Sequence, residues 1–195
     1  GASLTISGST LDGTFGVNFQ GAITSAAIAI GRTRVKSRSG AAVNFADTLT
    51  STTVAMTDLV LRNVNSAIQY SGAVSLSPLT IDRCEMQTST SGVSVVEWVS
   101  TVANSPVAVT NSILRSTAAT GTGAGLEFAV GVTDSPVSIT GSVVKVVGAG
   151  VDYAAGPVTR SDLAVSGATF TAAEWHAMTG GSDTDVSFSS SVLKR

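Results

Sequence analysis

Along this chain, apolar and small polar residues alternate in short bursts, and the bursts come back at a nearly constant interval. An eight-residue frame, apolar at its first, third and eighth positions, occurs as LTISGSTL from Leu4, IAIGRTRV from Ile28, VAMTDLVL from Val54 and LTIDRCEM from Leu79. It occurs again as VAVTNSIL from Val107, VSITGSVV from Val137, LAVSGATF from Leu163 and VSFSSSVL from Val186. The starts lie 24, 26, 25, 28, 30, 26 and 23 residues apart, a mean of 26. Alternation with a period of two puts the odd frame positions on one face and the even ones on the other, which predicts a strand in each frame.

A second phrase of apolar, polar, aromatic follows most frames: Val17-Asn18-Phe19, Val43-Asn44-Phe45, Ile68-Gln69-Tyr70, Leu126-Glu127-Phe128 and Val151-Asp152-Tyr153. Each repeat therefore holds at least two strands joined by a tight turn. In the fourth repeat, residues 92–99 allow two registers: one puts Ser94 in the polar column, the other uses a bulge to align Val96-Glu97-Trp98. The fifth repeat is longer because of TAATGTGAG, a loop excursion at a fixed corner. Ser-Pro opens three frames (Ser77-Pro78, Ser105-Pro106, Ser135-Pro136), where proline closes a corner without removing an interior ladder bond.

Repeats of this length cannot bury a face alone but can do so by stacking. The expected fold is all-β, a parallel β-helix (β-solenoid) of about eight coils, with residues 1–195 forming a single domain or an excerpt of a longer solenoid. Through its eight frames the chain resembles the right-handed parallel β-helices of the pectin-lyase-like superfamily. The resemblance implies architecture only, because that superfamily holds lyases, hydrolases, phage tailspikes and noncatalytic adhesin stalks. Left-handed β-helices have a six-residue subperiod, which the 23 to 30 residue spacing lacks.

Composition agrees with a packed β fold: 43% of residues are hydrophobic, only 12% charged, and Val, Ala, Leu and Ile outweigh the 5% of aromatics. A net charge of -2, with no basic run beyond the last two residues, argues against a nucleic-acid partner. The single cysteine, Cys84, excludes an intrachain disulfide framework, and at the sixth frame position it should point inward. No apolar run approaches the ~20 residues of a membrane span, and the stretch GASLTISG has neither the basic n-region nor the apolar h-region of a signal peptide, which leaves secretion open.

If inward positions only repeat the core, function belongs to the outward columns. The second and fourth frame positions are nearly all Ala, Ser, Thr and Gly, a flat strip suited to a sheet face, to a partner chain or to ice. One residue past the frame runs Asp12, Lys36, Arg62, Gln87, Arg115, Lys145, Thr171, Lys194. Lys36, Arg62, Arg115 and Lys145 are the candidate ligand-binding residues, facing an acidic polysaccharide or guarding against strand pairing. In the bulged register Glu97, Glu127 and Asp152 come from successive coils, a hard-oxygen set that could take Ca²⁺. The pectate lyases of the resembling superfamily gather calcium carboxylates in that general way, although no lyase or polygalacturonase signature surrounds these residues. His176, in TAAEWHAMTGG, is read as part of a helical turn or loop and as no member of a triad.

These features lead to a noncatalytic extracellular or cell-surface module: a stalk, adhesin or carbohydrate-binding segment with no resident cofactor. Alternatives are a Ca-assisted polysaccharide lyase or glycoside hydrolase of the same fold, and a self-assembling or ice-binding solenoid. Because the first frame begins at Leu4 and the last ends at Leu193, the end coils are expected to lack covers, apart from FTAAEWHAMTGG as a partial lid. End-to-end association with another copy or a protein partner is the corresponding expectation.

Overall fold

The computed structural model describes residues 1–63, 65–178 and 181–195. They form an all-β parallel solenoid of seven turns and the first half of an eighth, with no helix among the described residues. Each complete turn has four short strands, two beyond the minimum that the sequence pattern requires. In the first turn they are Ala2–Ser7, Thr10–Gly13, Val17–Phe19 and Ile23–Thr24. Stacking collects them into four parallel sheets, called A to D in that order, of eight, eight, seven and seven strands.

The eight frames are in register. Leu4, Ile28, Val54, Leu79, Val107, Val137, Leu163 and Val186 are successive backbone partners in sheet A. Each frame nevertheless bends in the middle. Its fifth residue (Gly8, Arg32, Asp58, Arg83, Asn111, Gly141, Gly167 or Ser190) takes φ between 47° and 65°, turning the chain from sheet A to sheet B. A second left-handed column, from Ser25 through Leu76 to Asp183, makes the corner from sheet D to sheet A. Most of these positions carry Gly, Asn, Asp, Ser or Arg, and an exposed Leu76 at φ 50° is the bulkiest apolar exception.

Both corners are closed by columns of hydroxyls one residue further on. At the D-to-A corner the N–H groups of Ser77, Ser105 and Ser135 donate to the Oγ of Ser105, Ser135 and Ser161, each at 3.0 Å. Each of these hydroxyls in turn donates to the carbonyl two residues before it, as Ser135 does to Thr133 at 2.8 Å. At the A-to-B corner Cys84 N–H donates to Ser112 Oγ and Ser112 N–H to Ser142 Oγ. The buried Cys84 thus occupies a column that Ser112 and Ser142 fill in the next two turns, and burial pushes its thiol up to about 11.

Inside, the inward residues of sheets A, B and D are Val, Ile, Leu and Met for most of the length. Sheet C supplies an aromatic spine: Phe19, Phe45, Tyr70, Trp98, Phe128 and Tyr153 stack with centroids 4.4 to 5.4 Å apart. The spacing follows from the ~4.8 Å separation of paired strands, which is close to the contact distance of offset rings.

Candidate functional site

Sheet B presents two outward columns. The one predicted from the frames is reproduced residue by residue: Lys36 pairs with Arg62, Arg62 with Gln87, Gln87 with Arg115 and Arg115 with Lys145. The neighbouring column, two residues earlier on each strand, carries Arg34, Val60, Glu85, Ile113 and Val143. Glu85 sits between two of the cations, 2.9 Å from Arg115 and 3.6 Å from Arg62. Among the described residues Lys36 and Lys145 form no ion pair, although Asp12, itself paired with Arg38, precedes Lys36 in the same column; two cations thus share Glu85. Ile113 and Val143, exposed at 42% and 39%, lie beside Arg115 and Lys145 on the same turns. Arg34 and this apolar pair are not singled out by the sequence, and Glu85 reads there only as an outward neighbour of Cys84, although equal parity with the basic column on one strand is the signal that finds all of them.

Sheet C resolves the register of residues 92–99. Val96, Glu97 and Trp98 pair with Ile68, Gln69 and Tyr70 on one side and with Leu126, Glu127 and Phe128 on the other. Ser94 therefore lies outside the polar column, and its hydroxyl donates to Glu127. Glu97, Glu127 and Asp152 are consecutive partners. Glu97 Oε2 accepts from Ser66 Oγ at 3.0 Å and from Gln69 Nε2 at 3.1 Å. Asp152 accepts no hydrogen bond from the described residues. Burial, and then the charges of Glu127 and Glu174, hold its carboxyl above the usual range. It borders a cavity of about 250 Å³ whose wall includes Gly121 and Thr122 of the long fifth-repeat loop and Glu174. Among the described residues no group of three or more His, Cys, Asp or Glu is arranged to hold a metal ion.

His176 does not sit in a helical turn or loop, and the segment around it is not a lid. Glu174–Met178 is the seventh strand of sheet C, with His176 paired to Val151, Ala177 to Asp152 and Met178 to Tyr153. His176 thus continues the inward column, half-buried and tilted against Phe188 at 6.2 Å. Helix propensity in TAAEWHAM gave way to the ladder that the preceding turn offers, a tertiary override of a local preference.

Elsewhere, charge is used up at corners between adjacent turns. Arg83 pairs with Asp58 at 2.8 Å and contacts Asp82, Arg160 pairs with Asp134 at 2.6 Å, and Arg38 with Asp12 at 3.0 Å. The guanidinium of Arg160 holds the Asp134 carboxyl below the usual range, as that of Arg83 does for Asp58. The outward residues of sheet A are mostly small hydroxyls, Ala and Gly, which carry no acid-base chemistry.

No protein-family model matches the chain, and neither a curated protein nor a solved structure matches it significantly.

Proposed function

We propose that the chain is a noncatalytic module of the right-handed, pectin-lyase-like β-helix type. It works outside the cell or at its surface as a stalk, adhesin or carbohydrate-binding segment, and sheet B is the face that meets an anionic polysaccharide. The supporting observation is the file of Lys36, Arg62, Arg115 and Lys145 on paired strands, in which Glu85 bridges two of the cations and Asp12, next to Lys36 in the ladder, is already paired with Arg38. A chain that is net negative but concentrates cations along one sheet has a face fitted to a polyanion.

Weak binding to a soluble acidic polysaccharide, measured by calorimetry at low ionic strength, should fade as salt screens it. Arg62→Ala with Arg115→Ala should weaken it at least severalfold. Binding that survives high salt, or that ignores the double substitution, would make the column edge protection only.

The alternative, a calcium-assisted lyase or hydrolase, draws on Glu97, Glu127 and Asp152 in consecutive turns. It requires a rise in melting temperature with millimolar Ca²⁺, lost in Asp152→Asn, together with unsaturated or reducing-end product from acidic polysaccharide. Absence of both outcomes leaves the noncatalytic reading.

A further inference from the structure

The basic column lies on sheet B and the acidic column on sheet C, and the two were built by the same repeat. We infer that sheet B of one molecule docks laterally on sheet C of a second copy, with the solenoid axes parallel. The argument begins with pitch. Each column advances one residue per turn at the ~4.8 Å spacing of paired strands. A linear ligand must match that spacing by chance, whereas a second copy matches it by construction. Once one turn is aligned, every turn is.

With no axial shift, the residues that meet are complementary throughout. Lys36 faces Asn44, Arg62 faces Gln69, Gln87 faces Glu97, Arg115 faces Glu127 and Lys145 faces Asp152. No like charges oppose each other along the two columns, and Glu85, on the same turn as Gln87, is already held by Arg62 and Arg115. Both partners have unfilled capacity. Lys145 has no ion pair among the described residues, Asp152 accepts no hydrogen bond from them, and the bonds to Glu97 and Glu127 use Oε2 alone. Desolvation and two neighbouring carboxylates already oppose the charge on Asp152, so a cation brought beside it has an outsized effect. The same contact covers Ile113 and Val143, the exposed apolar residues next to Arg115 and Lys145. Because two different faces meet, the contact is heterologous and continues from copy to copy into a ring or an open row.

Sedimentation of the wild-type chain at low ionic strength should show a mass that rises with concentration and returns to monomer near about 0.5 M salt, where the screening length is only a few ångström. R115E with K145E, and separately E127K with D152K, should each be monomeric. An equimolar mixture of the two variants should associate again, because each supplies the sign the other has lost. Stacking through end coils would ignore all four substitutions. R115Q with K145Q and E127Q with D152N, checked by circular dichroism, carry the same test with a milder change should a reversed variant not fold. A wild type that stays monomeric at low salt, association indifferent to the substitutions, or a mixture that fails to associate would overturn the inference. The polysaccharide reading separates cleanly: R115E with K145E should lose that binding too, while E127K with D152K should keep it.

Discussion

Asp152 shows how one position can be set against its own fold. In the first two turns its column holds Asn18 and Asn44, linked amide to amide at 2.9 Å, and in the third Gln69, which donates to Glu97. By the sixth turn the column has become acidic, and Asp152 is left with two carboxylates near it and no donor from the described residues. Its folded carboxyl titrates above the unfolded value of 3.8, so the folded state binds the proton more tightly than the unfolded one. The sign follows from linkage: stability falls as pH rises from 3.8 through the raised folded value, and it is regained as pH drops back through that window. Asp152→Asn should therefore raise the melting temperature at pH 7 of the dilute, monomeric protein. The gap between the two proteins should narrow as pH is lowered through that window toward 3.8. A scan of melting temperature against pH for both proteins checks this, and an unchanged or lowered value at pH 7 counts against a destabilising charge at Asp152.

At the scale of the element, the sequence was most legible where residues repeat for a packing reason. All eight frames, the basic column and five of the aromatic phrases could be read because inward and outward positions answer to one pitch. The count of strands per turn was not legible, since the bend inside each frame rests on left-handed φ at a fifth position whose identity varies from Gly to Arg. The hydroxyl columns were overlooked although Thr52, Ser77, Ser105, Ser135, Ser161 and Thr184 all lie two residues before a frame; a corner serine is easily taken for mere turn composition. Their energetic role can be measured. Ser135 Oγ accepts from the buried N–H of Ser105 and donates to Thr133. Ser135→Ala leaves that N–H without its partner and should cost about 1–3 kcal/mol, the usual penalty for a stranded buried donor. Urea unfolding with unchanged slope should report it, and a loss within ~0.3 kcal/mol would mean that another acceptor serves the corner.

Across the whole molecule, each turn touches only its neighbours, so stability is close to a sum of turns and the interfaces between them. The aromatic spine carries those interfaces ring on ring. Trp98 is fully buried, with Tyr70 at 5.4 Å on one side and Phe128 at 4.4 Å on the other. Phe19 is only partly buried and stacks on one ring, Phe45 at 4.7 Å. Flattened residues cannot close the gap that Trp98 would leave, because the turns above and below are held apart by their own ladders. Trp98→Ala should accordingly cost about 3–5 kcal/mol, the upper range for aromatic truncation in a core. Phe19→Ala in the same chain should cost clearly less, since it loses one stacking partner and less burial. Hydrogen exchange then distinguishes nearest-neighbour coupling from global cooperativity. Trp98→Ala should lower protection first in the strands Ile68–Tyr70 and Leu126–Phe128 that flank it, and a uniform drop over all turns would show that the solenoid opens as one unit.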